Sequence, residues 1–334
     1  MELDLPFIWA GLIATAIYIY VVLDGFDLGI GILFPWIRGE QDRDVAVNSV
    51  APVWDGNETW LILGGGGLFA AFPLAYAVLM PALYAPITAM LLALVFRGVA
   101  FEFRFRSENS KHWWDRGFWL GSTVAAFSQG VCLGTVIQGV NVAGRAYAGG
   151  WWDWLTPFSI LTGVALVAGY ALLGICWLIM KTTGDLRKQL YAMALPAGGL
   201  VLAMIGIVSL WTPFLSNEIF ERWFAWPNIL YVSPVPLLVL ALAFIFHRAV
   251  LNKRDPIPFF ATLGLFLVSY AGLAISLYPW MVPRAITIWE AAAPAKSQMF
   301  LLIGTVVLLP LILGYTAYAY WVFRGKVDPD EGYH

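Results

Sequence analysis

Long apolar runs separated by short polar connections make up almost the whole of this 334-residue chain. A helix needs about 20 apolar residues to cross a bilayer. Nine segments reach that length, at about 7–34, 58–79, 83–103, 118–138, 158–180, 191–213, 228–246, 257–279 and 298–322. The pattern predicts an all-α polytopic membrane protein with nine transmembrane helices. Short connections favour antiparallel neighbours in up-and-down bundles. We therefore expect a four-helix bundle over about 7–138, a second over about 158–279, and a peripheral ninth helix at about 298–322, together one integral membrane domain over 1–334.

Composition agrees with this picture: 60% of residues are hydrophobic and 12% charged, with a mean hydropathy of +0.76. Soluble domains carry about twice that share of charge, and no soluble domain of useful size fits between the spans. The opening Met1-Glu2-Leu3-Asp4 lacks the basic stretch of a cleavable leader, so the first apolar segment is expected to be a retained helix. Cys132 and Cys176 both fall in apolar spans and read as buried thiols. A net charge of −2 gives no sign of a nucleic-acid partner.

Lysine and arginine set the expected orientation. Alternate connections carry fourteen of them on one side (Arg38 and Arg43 at the first, Arg324 and Lys326 at the last) against four on the other, Arg145, Arg222, Arg284 and Lys296. Positive residues stay on the cytoplasmic side, which predicts the N-terminus outside and the C-terminus inside. Trp151, Trp152, Trp154, Trp223, Trp226, Trp280 and Trp289 gather in the outer connections, as interfacial aromatic anchors do.

Charges inside the spans carry the candidate chemistry. Asp24 and Asp27 interrupt the run from Phe7 to Phe34, and a charge at the centre of a membrane helix costs roughly 2.5–3.5 kcal/mol on insertion scales. Such residues face a partner, a hydrated cavity or an ion path. At 1.5 Å per residue they lie roughly 15 and 10 Å from the inner end of the span, and their i, i+3 spacing puts both on one face. Arg97 lies roughly 10 Å deep in the third span. Asp55 and Glu58, also at i, i+3 spacing, open the second span, and Glu102 closes the third near Arg106.

Two readings apply to this constellation. In one, Asp24 and Asp27 pair with Arg97 and fix helix register, Asp55 belongs to a helix start, and Glu102 forms an interfacial salt bridge with Arg106. In the other, Asp55, Asp24, Asp27 and Glu58 form a proton or cation route supported by Arg97 and Glu102. The run Gly64–Gly67 serves close helix packing or the approach of a cofactor, packing being the commoner use. His112 and His247 lie in or beside inner connections and His334 ends the chain, so no histidine pair is placed to clamp a haem in the membrane. A proton-coupled secondary transporter, binding its coupling ion near the midplane, is the alternative reading from another class.

Four stretches, Leu23-Asp24-Gly25-Phe26-Asp27-Leu28-Gly29, Asn48 to Trp60 with its Trp54-Asp55-Gly56-Asn57-Glu58 core, Phe96-Arg97-Gly98-Val99-Ala100-Phe101-Glu102 and Thr287-Ile288-Trp289-Glu290-Ala291, resemble subunit II of the cytochrome bd-type quinol oxidases. The likeness runs in order from the first span to the Tyr315–Trp321 region, and the chain length and short connection between spans four and five are closer to the cyanide-insensitive branch. The resemblance implies a respiratory-chain heterodimer in the bacterial cytoplasmic membrane. A haem-bearing subunit I would carry two haems b and one haem d, with quinol and dioxygen as substrates of the complex. This chain would carry no haem, stabilise that partner and supply part of the cytoplasmic proton-uptake path. By motif, Asp55 matches the acid assigned to that path, and Asp24, Asp27 and Arg97 match polar positions beside it. The resemblance further implies a structural quinone or lipid in some members and a small single-helix accessory subunit.

Overall fold

A computed structural model describes residues 3–107 and 110–327; Met1, Glu2 and His334 fall outside them. In chain order the helices are α1 (Leu5–Leu33), α2 (Glu40–Asn48), α3 (Trp54–Ala71), α4 (Pro73–Ala82), α5 (Tyr84–Arg106) and α6 (Lys111–Gln138), then α7 (Pro157–Lys181), α8 (Gly184–Trp211), α9 (Asn217–Phe224), α10 (Asn228–Val232), α11 (Pro234–Leu251), α12 (Pro256–Leu277), α13 (Ile288–Ala291) and α14 (Ala295–Val322). Two small antiparallel hairpins complete it: β1 (Val142–Ala143) with β2 (Ala146–Tyr147), and β3 (Trp280–Val282) with β4 (Ile286–Thr287).

Among the described residues, eight of the nine expected segments form helical stretches long and apolar enough on their own to cross a membrane. The stretch expected as a single second span is divided into α3 and α4 at Phe72, which leaves the helical region with φ −133° and ψ 62°. Pro73 is the cause: it has no N–H to give the preceding turn, and it disfavours helical geometry in the residue before it. The seventh span is likewise preceded by the short α10, with Pro234 opening α11.

At one end of the molecule meet the C-terminal ends of α1, α5, α7, α11 and α14 and the N-terminal ends of α3, α6, α8 and α12; this is termed the basic end, since Arg43, Arg104, Lys111, Lys181, Arg187 and Lys326 gather there. Near it α1 is enclosed on every side: each residue from Asp24 to Phe34 is buried, against α3, α6 and α7. Glycine permits that enclosure. A Cβ on Gly29 would overlap the Tyr170 carbonyl oxygen, and one on Gly174 would meet the Gly29 backbone at 2.6 Å, so α1 and α7 cross backbone to backbone. α7 is buried over Leu172–Ile179 and packs on α6, α8 and α12 as well, so packing is continuous across the two groups of helices. By contrast α14 buries Gln298 alone.

Of the four consecutive glycines, Gly64 and Gly67 face α1, where a Cβ would sit 3.2 Å from Ile17 and 3.1 Å from Ile13, while Gly65 and Gly66 face open space. The first pair therefore allows close packing of α3 on α1. The Thr287–Ala291 motif also has a local role. Thr287 and Glu290 form a reciprocal capping box at the start of α13: the Thr287 N–H and hydroxyl both donate to Glu290 Oε2 at 2.8 Å. Those donors hold the Glu290 carboxyl below its ordinary range.

Candidate functional site: a buried acid–arginine cluster

α1, α3 and α5 each bring charge to one point near the basic end. The i, i+3 spacing turns Asp24 and Asp27 to the same side of α1, and Arg97 reaches them from α5. Arg97 Nη1 lies 3.0 Å from Asp24 Oδ1 and 3.6 Å from Glu58 Oε2; Nη2 lies 3.8 Å from Asp27 Oδ2. Asp24, Asp27 and Arg97 are each 0% exposed, whereas the Glu58 side chain retains 28%. The guanidinium also lies over the Trp54 ring at 5.4 Å, a favourable cation–π placement. One cation thus serves three carboxylates.

The cluster is held by charge more than by aligned hydrogen bonds. Asp24 Oδ1 and Oδ2, Asp27 Oδ1 and all three Arg97 nitrogens lack a well-directed partner among the described residues. Buried polar atoms are ordinarily satisfied, and exceptions concentrate at functional groups. Asp27 Oδ2 is the exception within the cluster, accepting from Asn57 Nδ2 at 2.7 Å. Asn57 Oδ1 in turn accepts from the Tyr320 hydroxyl of α14 at 2.8 Å. On the other side of Asp24, one turn back on α1, the Tyr20 hydroxyl is within interacting reach of the carboxylate. It accepts from Gln129 Nε2 of α6 at 2.7 Å, and Gln129 Oε1 accepts from Tyr170 of α7 at 2.7 Å. The sequence assigns no role to Tyr320, Tyr20, Gln129 or Tyr170, and Asn57 enters it only within the Trp54–Glu58 motif; the available signal is the Gln129 carboxamide within a membrane span.

Asp55 sits in the first turn of α3, exposed, one turn from Glu58 and close enough to act on it electrostatically. It does not cap the helix: Val53 is the N-cap, with no side-chain cap bond. Glu102 is a correction to the expected supporting pair. It is half-buried and forms no ion pair with Arg97 or Arg106 among the described residues. Five residues along a helix is about 140° of rotation, so Glu102 points away from the side on which Arg97 meets α1. Arg106, at the last turn, is exposed and does not reach back to it.

A second charged group lies at the basic end itself. Arg104, 1% exposed, binds Asp44 of α2 at 2.5 Å and Asp115 of α6 at 2.6 Å; Arg43 reaches Asp115 at 2.9 Å, and Lys111 reaches Glu40 at 2.5 Å. This network fastens α2 across the ends of α5 and α6. His112 and His247 are exposed at helix ends, and no group of three or more His, Cys, Asp or Glu able to hold a metal occurs among the described residues.

A family model described as cytochrome bd terminal oxidase subunit II matches residues 5–323. The chain belongs to this family. It is 32% identical to subunit 2 of the cytochrome bd-I ubiquinol oxidase of Escherichia coli K12, over 98% of this chain and 96% of that protein. It is 30% identical to subunit 2 of the cytochrome bd ubiquinol oxidase of Bacillus subtilis 168, over 97% of each. Among solved structures, a chain of the bd oxidase from Geobacillus thermodenitrificans superposes with a TM-score of 0.79, covering 96% of this chain and 99% of that one at 16% identity, which shows a shared fold. The bd subunit II chain is therefore part of an oxidoreductase complex, a terminal oxidase with haems in the complex and a partner subunit I, and is a multi-pass protein of the bacterial inner membrane. Family membership sets the transporter alternative aside.

Proposed function

We propose that this bd subunit II binds no haem itself, stabilises a haem-bearing subunit I, and provides the cytoplasmic entry of its proton supply. The basic end then faces the cytoplasm, in keeping with the excess of Lys and Arg there. Entry begins at Asp55, passes Glu58 and ends at Asp24 and Asp27 beside Arg97. The observation that carries the proposal is the gradation of exposure along this series. Asp55 is open at the helix start, Glu58 keeps 28% of its side chain accessible while lying 3.6 Å from Arg97, and the two aspartates are enclosed. A titratable series that runs from surface to interior suits proton uptake, because a low-dielectric membrane needs such groups or water files to carry charge.

In the complex, quinol oxidation supplies electrons and dioxygen is reduced to water, which consumes protons. Taking those protons from the basic end, while quinol releases its own on the opposite side, separates charge across the membrane without a pump. Arg97 has a positioning role in this scheme, holding an oxygen of each of three carboxylates that would otherwise repel within 4 Å of its guanidinium.

The test is Asp55→Asn in the purified complex with haem content confirmed, reading quinol-driven oxygen consumption and charge separation in vesicles. A fall in both at full haem content supports the route; unchanged values remove Asp55 from it. A structural reading also has a specific observation in its favour, the 3.0 Å Arg97–Asp24 contact joining α5 to α1. It predicts that Asp24→Asn and Arg97→Gln lose haem or partner before proton transfer slows.

A further inference from the structure

Asp27 is the one buried acid of the cluster with a well-formed hydrogen bond, and the donor belongs to a side chain that can face either way. A carboxamide presents NH2 on one side and oxygen on the other, and rotating its last torsion by half a turn exchanges them. The orientation of Asn57 therefore decides whether Asp27 meets a donor or a second acceptor. Asn57 is 1% exposed, so bulk solvent does not set that choice. Its Nδ2 lies 2.7 Å from Asp27 Oδ2, with the Leu23 carbonyl oxygen at 3.4 Å as a second acceptor. Its Oδ1 lies 2.8 Å from the Tyr320 hydroxyl.

We propose that Tyr320 is a positioning residue for Asp27, acting through Asn57. By donating to Oδ1, the Tyr320 hydroxyl fixes the amide with its NH2 toward Asp27. The reversed amide would set Asn57 Oδ1 against the Asp27 carboxylate and leave the tyrosine proton without its acceptor. The hydroxyl oxygen could then accept from the turned NH2, but the carboxylate would face an acceptor and the tyrosine proton would be unused, so the observed orientation is the one that satisfies every member of the network.

The source of the hydroxyl is informative. α14 buries nothing but Gln298 at its far end, yet at the basic end it sends Tyr320 inward among Phe26 and Trp177, with ring centroids 6.5 and 6.2 Å away. The last long helix is otherwise peripheral, and through this side chain it reaches the acid cluster of α1. The ring contacts position the phenol and the hydroxyl performs the lock, so the two roles separate by substitution.

That Asp27 matters to turnover rests on the proton-entry reading above; the lock itself does not. The experiment uses the purified, haem-containing complex with aspartate carboxyls isotopically labelled, and redox-induced infrared difference spectra, the Asp27 bands being assigned by their loss in Asp27→Asn. Tyr320→Phe keeps the ring and removes the hydroxyl. It is expected to shift the Asp27 bands at unchanged haem content and, if Asp27 serves proton entry, to lower oxygen consumption by about fivefold, the scale of losing one hydrogen bond between neutral groups. Asn57→Leu shifts the same bands, and Tyr320→Phe adds nothing in the Asn57→Leu background, because a residue acting through another has no effect once that other is gone. Asp27 bands that stay in place in Tyr320→Phe overturn the proposal, as do band shifts that add in the double variant. Shifted, non-additive bands with unchanged turnover uphold the lock and remove Asp27 from proton entry, so the two ideas fail separately.

Discussion

Replacing Arg97 by Gln removes the one cation that serves three carboxylates. The lost contacts are at 3.0 Å to Asp24, 3.6 Å to Glu58 and 3.8 Å to Asp27, with Arg97, Asp24 and Asp27 fully enclosed. Breaking a buried ion pair by deleting one partner costs about 3–5 kcal/mol, because the remaining charge stays desolvated and unpaired. Here two fully buried acids are left, so the upper part of that range applies. At about 1.4 kcal/mol per factor of ten, the loss is roughly three to four orders of magnitude in the folded-to-unfolded ratio. Asp24→Asn should cost less, since Arg97 keeps Asp27 and Glu58. The double variant Arg97→Gln/Asp24→Asn should recover part of the single Arg97→Gln loss, because one orphaned charge has gone. The assay is the yield of haem-containing complex after extraction and its rate of thermal inactivation, compared across wild type, both singles and the double. Equal losses in Arg97→Gln and Asp24→Asn, or a double variant no better than Arg97→Gln, would refute the view that one cation holds this cluster together.

Gly29→Ala should prevent accumulation of the complex, since its methyl would occupy the space of the Tyr170 carbonyl oxygen, while Gly199→Ala, with nothing within 4 Å, should leave the yield unchanged. At the basic end, Arg104→Ala should cost about 3–5 kcal/mol, and Lys111→Ala less than about 1 kcal/mol because its Glu40 partner is largely solvated; thermal inactivation of the two variants measures the difference. Burial alone would raise the Asp255 carboxyl, but hydrogen bonds from Arg187, Lys326 and Tyr191 outweigh it and hold the group below its ordinary range. A depressed carboxylate contributes stability above its unfolded value, lost as pH falls through the folded one. Proteolytic cleavage after α14 should therefore stay slow from pH 8 to about pH 5 and rise only below about pH 4, whereas Asp255→Asn should be cut faster already at neutral pH.

What the chain disclosed of itself follows from the range of the interactions involved. Long apolar runs and the Lys/Arg bias are local signals, and the helices fall close to the expected segments. Asp24, Asp27 and Arg97 announced themselves because a charge within an apolar run is conspicuous wherever its partner lies. Pro73 was equally visible, but membrane helices tolerate proline, so only the backbone at Phe72 shows that this one divides a helix. The i, i+4 spacing of Glu102 and Arg106 permits a helical pair without enforcing one, and Arg106, exposed in the last turn, does not turn back to it. Tyr320 and Tyr170 lie 263 and 41 residues from the carboxamides they bind, and among 14 tyrosines nothing local singles them out.

The turn between α7 and α8 depends on chain made much later. Lys181 extends its ammonium to the carbonyls of Phe323 and Gly325, Lys326 donates to the Thr182 carbonyl, and the Val327 N–H donates to the Lys181 carbonyl at 2.9 Å. Lys326 lies 144 residues beyond the carbonyl it meets. While the ribosome is still producing α8 to α14, this corner must leave two carbonyls and an ammonium to water or to lipid headgroups. The tail that follows α14 therefore acts as a closing clasp, and the basic end reaches its final form only after the last long helix has entered the bilayer.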